Sequence, residues 1–398
     1  MEDNDKLEKT PGKASENVTA STETVGEKAD MKTPAETEST DKKATPEPKA
    51  KPKPKKKSPV EVPKDPLLVT SSPHIHGKDS VSKIMWTVSA CLAPAGLASV
   101  YIFGMRAFFI MFFCILGAVG SEYLWQKFTH RKITIKDGSA FLTGLLLAYN
   151  LPPTVDWWIP LTGSIFAVIV VKQFFGGLGM NIFNPALAAR GFLLASWPQQ
   201  MTTWARPIMG FGMDLVTGAT PLDMVKQGRS EMFLEQFPNM GVMFQKLLWG
   251  DRGGSLGETC AILLILGGLY LIYKKYIDWQ IPAVFIGSLS VFMLVASLFG
   301  GVKVLGGPVE TVIFNMFAGG LILGAFFMAT DYVTCPATVK GRMVFAVGCG
   351  VLTGIIRLWG GLPEGVCYSI LIMNAFTPLI DDKIRPVVYG ARKEAPAV

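Results

Sequence analysis

The chain has 398 residues, a mean hydropathy of +0.35 and only 17% charged residues, against about a quarter in a soluble domain. Much of that charge falls in the first 66 residues, which leaves apolar runs with little between them, the composition of a polytopic membrane protein. The net charge of +7 is accordingly read as Lys and Arg in cytoplasmic loops, and no nucleic-acid partner is expected.

Residues 1–66 are poor in aromatics and rich in Lys, Glu, Thr, Ala and Pro. Such a segment buries too little apolar surface to offset its ordering entropy, so a disordered cytoplasmic tail is expected. Lys42 to Lys57 is Lys-Pro-rich and favours extended conformations. No signal-peptide apolar region is present, so a solvated linker is the plain reading, and contact with anionic lipid or a partner the sharper one. A pre-membrane segment, 67–83, holds His74 and His76. With His130 these make no metal triad, and no metal site is expected. No two of the six cysteines have C-x-x-C spacing, and five lie inside apolar runs, where Cys behaves as a small hydrophobe.

From Ile84 onward ten apolar runs follow: 84–103, 107–126, 138–151, 157–173 and 184–197, then 259–273, 281–300, 309–329, 343–357 and 366–380. Several fall short of the roughly 20 residues of a full crossing. Four of them (138–151, 184–197, 343–357, 366–380) carry Gly, Pro or Asn at an end and read as broken or re-entrant helices. Lys and Arg collect in alternate connections: Lys78 and Lys83; Lys127, Arg131, Lys132 and Lys136; Lys274 and Lys275; Lys340 and Arg342; Lys383, Arg385, Arg392 and Lys393. The intervening ones hold Arg106, Lys303 or none. The positive-inside rule then puts both termini in the cytoplasm of a bacterial cell with ten crossings, and 198–258 on the outer face. A re-entrant fifth run would invert every later run, but the Lys/Arg alternation would then break.

Two portions resemble each other at an offset of about 184 residues. Gln173-Phe174-Phe175-Gly176-Gly177 and Asn184-Pro185 answer to Arg357-Leu358-Trp359-Gly360-Gly361 and Asn374 through Pro378. Five runs per copy make the copies face opposite ways, so the expected fold is all-α, two inverted five-helix repeats at 84–197 and 259–381, with a cytoplasmic C-terminal tail at 382–398. Among the polar residues in or near the runs (Glu122, Lys172, Arg190, Asp331, Arg357, Glu364) most sit at run ends, where snorkelling to the interface is the plain account and lining an ion path the sharper one. Asn184 and Asn374 are read as half-helix termini whose dipoles face an ion or cofactor.

The outer segment holds Asp214 to Leu222 and then an amphipathic helix near 221–237. Thr217-Gly218-Ala219-Thr220 is small and turn-forming, and Pro221 suits a first helical position. The residues by themselves thus describe Thr220 as a helix N-cap.

The chain from about Ser71 to Lys393 also resembles a known family, that of the D-type subunit of Rnf-type electron transport complexes and its paralogue, the B-type subunit of the Na+-translocating NADH:quinone reductase. The matching stretches are Lys136 to Leu147, Phe175 to Gly179 with Asn181 and Phe183 to Ala186, Gln200-Met201-Thr202, Gly218 to Leu222, Gly324 to Phe327 with Thr330-Asp331, and Arg385 to Gly390. The tail before Ser71 departs from it. Gln173 after Lys172 and the Arg-Pro-x-x-Tyr-Gly ending favour the Rnf type. The resemblance implies FMN esterified through its phosphate to the hydroxyl of Thr220, with Asp214, Thr217, Gly218 and Ala219 forming the motif read by a flavin transferase on the outer face. A phosphate there would lie near the start of the helix after Thr220. It implies a second, non-covalent riboflavin whose contacts no motif assigns, partner subunits of the A, B, C, E and G types, and a subunit that is not catalytic alone. The implied function is passage of electrons from ferredoxin towards NAD+, coupled to movement of Na+ or H+. The alternatives are the quinone-reductase paralogue and a non-redox channel or transporter built on inverted repeats.

Overall fold

The computed structural model describes residues 79–300, 304–361 and 364–385. The 1–66 tail, His74, His76, Lys78, Lys303 and everything from Pro386 on, with Arg392 and Lys393, lie outside the described residues.

Every apolar run becomes helical, as it must where lipid offers backbone groups no partner. Ser80 opens α1 (Val81–Phe103) by accepting from Lys83 N at 3.2 Å. Next come α2 (Met105–Phe128), α3 (Ser139–Tyr149), α4 (Trp158–Ile165) continuing in wider π-helical turns over Phe166–Gln173, α5 (Pro185–Ser196) and α6 (Pro198–Met201). The middle segment holds strands β1 (Trp204–Ala205) and β2 (Thr217–Gly218) and helices α7 (Pro221–Lys226), α8 (Ser230–Gln236) and α9 (Met240–Trp249). The second half comprises α10 (Ala261–Tyr273), α11 (Gln280–Leu298), α12 (Pro308–Phe317), α13 (Leu321–Leu323) with π-helical turns over Gly324–Met328, α14 (Val339–Trp359) and α15 (Val366–Lys383). Four helices, α1, α2, α11 and α14, are long and apolar enough to cross a membrane; α12 with Leu321–Met328, bent by 61°, would make a fifth. The chain is a helical, multi-pass membrane protein, and its only strands among the described residues are the two-residue pair β1–β2.

The breaks fall elsewhere than expected. The runs 343–357 and 366–380 lie inside the unbroken α14 and α15, because charged residues (Lys340 and Arg342, Asp381 to Lys383) extend each helix past its apolar stretch. The distortions are instead in α4, at Phe166, and between α12 and α13, at Ala318 to Gly320. Asn374 is therefore inside α15 and not at a terminus, whereas Asn184 does cap α5, accepting from Ala186 N at 3.1 Å. The amphipathic helix expected near 221–237 is two short helices separated at Gly228.

Helices in lipid associate by close packing, which small residues permit. A Cβ on Gly144 of α3 would lie 2.8 Å from Cys114 O of α2, and one on Gly350 of α14 would lie 2.8 Å from Phe285 O of α11. In each half the second helix thus packs on the third and fourth, α2 on α3 and α4, α11 on α12 and α14.

Hydrogen bonds sort the connections into two sets. In one, Ser82 Oγ and Trp86 Nε1 reach Lys136 O at 3.0 and 3.4 Å, Tyr276 Oη donates to Asp79 at 3.1 Å, Tyr332 Oη donates to Tyr276 O, and Arg342 pairs with Asp278. In the other, Ile208 N and Gly210 N donate to Ile102 O and Tyr101 O at 2.8 Å, Thr154 Oγ1 donates to Thr203 O at 2.5 Å, and Leu256 N donates to Leu151 O at 3.1 Å. Gly104, at the α1–α2 corner with φ 75°, is what lets the second set close: a Cβ there would lie 1.9 Å from Gly212 O. The Lys/Arg-rich connections thus gather in the first set, and the middle segment with Thr220 belongs to the second.

Candidate functional site

Thr220 stands where strand turns to helix. β1 and β2 pair antiparallel, Trp204 with Gly218 and Ala205 with Thr217, and Arg206 N extends the ladder to Val216 O at 2.8 Å. The loop at Gly253 lies against this pair: a Cβ on it would be 3.0 Å from Ala205 O and 3.4 Å from Ala219 O. Pro221 fixes the first helical position of α7. Thr220, extended at φ −73° and ψ 156°, accepts from Asp223 N at 3.2 Å, so it is the N-cap read from the residues. Leu222 and Met224 then anchor α7 in a small core with Phe233, Phe237 and Phe314.

The motif divides by exposure. Asp214 and Thr217 are exposed, Gly218 and Ala219 half-buried, and Thr220 is only 4% exposed. Arg206, which nothing in the motif pointed to, lays its side chain across Gly218: a Cβ there would meet Arg206 Cγ at 2.6 Å. The signal was an Arg beside a Pro in an otherwise charge-poor stretch.

The polar residues expected at the interface are largely inside. Lys172 and Glu122, 2% and 1% exposed, form an ion pair at 2.9 Å. Lys172 Nζ also donates to Ser139 Oγ at 2.6 Å, and Gln173 and Gln126 donate to Glu122 at 2.9 and 3.1 Å. Arg190 pairs with Glu364 and donates to Asn150 Oδ1 at 3.0 Å. Arg357 donates to Asn315 O at 2.6 Å and Ala318 O at 2.9 Å. Snorkelling fails as an account of these because their charged ends are held by groups on neighbouring helices inside the protein. Lys172 and Arg357 each reach the end of a short helix: Lys172 the start of α3, Arg357 the end of α12. Sequence spacing marked those two, but not Arg252 or Glu258, which are buried beside the α12–α13 break, where a Cβ on Gly320 would lie 3.0 Å from Glu258 Oε1.

A cavity with about 800 Å³ of empty space, its mouth included, opens between the halves near the basic connections, with Ser139, Lys172, Asn181, Tyr276, Phe327 and Asp331 among its walls. Among the described residues no cluster of His, Cys, Asp and Glu suited to a metal ion occurs.

The profile of the NQR2, RnfD, RnfE family matches residues 68–390, a span that takes in all of the described residues. The chain belongs to this family. It is 50% identical over 336 residues to the D subunit of the proton-translocating ferredoxin:NAD(+) oxidoreductase complex of Clostridium ljungdahlii, covering 84% of this chain and 99% of that one. It is 44% identical over 331 residues to the Na(+)-translocating counterpart of Acetobacterium woodii, covering 82% and 96%. The D subunit of an ion-translocating oxidoreductase complex of Stutzerimonas stutzeri is 39% identical over 339 residues, covering 79% and 93%. Within this RnfD-type kinship the names of the first two relatives differ in the ion, so similarity does not choose between them.

Proposed function

We propose that this chain is the D-type membrane subunit of an ion-translocating ferredoxin:NAD+ oxidoreductase, an enzyme complex of the bacterial cell membrane, and that it carries FMN on Thr220. The observation that carries the proposal is the position of Thr220. It ends the Asp214–Ala219 motif, exposed at Asp214 and Thr217 and half-buried at Gly218 and Ala219, in a segment grouped with the connections opposite the basic ones. With Lys and Arg held inside, that is the outer side. Grouping of the connections in two alternating sets also supports ten crossings with both termini cytoplasmic. The matched packing of α2 with α3 and α4 and of α11 with α12 and α14 supports inverted repeats.

The residues fit an attached FMN on one condition. The hydroxyl that would be esterified is turned inward as an N-cap, so attachment requires Thr220 to rotate and give up a bond worth about 0.5–2 kcal/mol. The flanking elements, two-residue strands and a six-residue helix, are short enough to yield locally. Arg206 on Gly218 would hold the phosphate, and α7 and the Gly253 loop would fix the tether. FMN supplies the electron transfer when bound; the protein binds it, orients it and limits water. The non-covalent riboflavin fits the cavity near the basic connections, whose apolar walls carry a few polar groups, with Asn181 and Tyr276 as its hydrogen-bonding residues. The partners follow from this reading: the other Rnf subunits, of the A, B, C, E and G types, a flavin transferase, membrane lipid, and Na+ or H+ as the transported ion.

Peptide mass spectrometry on native membranes tests the attachment. A flavin-phosphate adduct on the peptide containing Thr220 is expected; an unmodified peptide from cells with an active transferase would falsify it and favour a non-redox transporter. Reduction of quinone without NAD+ reduction by the purified complex would point instead to the quinone-reductase paralogue.

A further inference from the structure

A second cavity lies beside α7, walled by α7, α11, α12 and α14, with about 580 Å³ of empty space including its mouth. Leu222, Met293 and Phe314 give it apolar sides; Lys226, Asn315 and Arg357 give it polar ones, and no Asp or Glu lines it. Arg357 is 6% exposed. Its Nη1 and Nη2 donate only to uncharged acceptors, Asn315 O and Oδ1 and Ala318 O. Its Nε has no hydrogen-bond partner, and among the described residues it has no carboxylate within ion-pair distance. A buried guanidinium left in that state is costly. Lys172, one residue before the position that answers to Arg357, has Glu122 against it. Among the described residues no carboxylate stands that close to Arg357, although Glu364 lies nearby across Gly319, and the apolar cavity it faces lies beside the short helix that Thr220 caps.

We propose that this cavity seats the redox ring of the flavin borne by Thr220, and that Arg357 is the positioning residue that holds the negative charge the ring gains on reduction. The inference rests on the attachment reading above. A neutral oxidised ring that takes two electrons and one proton keeps one negative charge; the electrons arrive from the partner subunits and the proton from water. A fixed cation beside it favours the reduced form and raises its reduction potential. Apolar walls suit the flat ring.

The test uses the whole purified complex, with the flavin on Thr220 verified by peptide mass spectrometry and its potential read by spectroelectrochemistry. Arg357→Gln should destabilise the reduced flavin at least tenfold, about 30 mV for a two-electron couple. Arg357→Lys should restore most of the shift. Because Arg357 also clamps the end of α12, a second variant stands apart from it: Ala296→Trp, which fills the cavity from α11. It should retain the covalent flavin but increase iodide quenching of its fluorescence several-fold. An unmodified Thr220 overturns the attachment reading and this one with it. A flavin on Thr220 whose potential ignores Arg357→Gln, or whose quenching ignores Ala296→Trp, overturns this one alone.

Discussion

Replacing Lys172 by Met removes the ammonium from the Glu122 ion pair while keeping most of the side-chain volume. Glu122 then remains, 1% exposed, with donors only from Gln173 at 2.9 Å and Gln126 at 3.1 Å. Breaking a buried pair by deleting one partner costs about 3–5 kcal/mol. The two remaining hydrogen bonds put this case at the lower end, about 3 kcal/mol, or roughly a hundredfold in the folding equilibrium. Removing the second charge as well, in Lys172→Met with Glu122→Gln, should recover all but about 1 kcal/mol, since paired charges are often replaceable by neutral groups. The measurement is equilibrium unfolding of the three proteins in detergent with a graded denaturing surfactant, followed by tryptophan fluorescence. If the single variant is as stable as the parent, the pair is not a buried charge pair. If the double variant is no better than the single, the loss comes from packing and the electrostatic argument is wrong.

Thr220 separates its two roles by substitution. Thr220→Asn keeps a good cap and should alter stability by only a few tenths of a kcal/mol, whereas Thr220→Val should lose about 0.5–2 kcal/mol; both should lose in-gel flavin fluorescence, and retained fluorescence in either would mean another attachment residue. Gly104→Ala should be poorly tolerated, because φ is 75° and the Cβ would meet Gly212 O at 1.9 Å; protease cutting within 205–215 should rise, and an unchanged cutting pattern would show that the segment is not held at that corner. Asp79, which accepts from Lys83 and Tyr276, is held below its ordinary value of 3.8 by those hydrogen bonds. Its folded value being depressed, the tether is in place above pH 3.8 and is lost as pH falls through the folded value. Asp79→Asn should therefore weaken hydrogen-exchange protection at the start of α1 near neutral pH, an effect that disappears in strong acid; equal effects at both would remove the ionic tether from the account.

The helices were legible because apolar run length and basic connections are local signals. Their ends were not: Lys340, Arg342 and Asp381 lie in helical turns beyond the lipid-like stretch, so a reading by hydropathy cuts α14 and α15 short. The N-cap at Thr220 was legible from Thr followed by Pro, since capping is decided within four residues. Whether that hydroxyl faces water was not, because its burial is set by distant packing. Glu122 was visible as a charge in an apolar run, but its partner Lys172 is 50 residues away and meets it only when α2 packs on α4. Arg206 across Gly218 was marked only as an Arg beside a Pro in a charge-poor stretch, which says nothing of where its side chain lies.

The corner at Gly104 also bears on the order in which the protein is made. Apart from their own pairing with residues 216–218, residues 203–212 are tied down by Tyr101, Ile102 and Thr154, all earlier in the chain. Chains fold from the N-terminus as they emerge. The dock for the Thr220 segment therefore exists when that segment is synthesised, before α10 to α15 are made. The later parts, Gly253 and Phe314, close over it from the other side. The first half is thus a template for the carrier loop, and the second half is its cover.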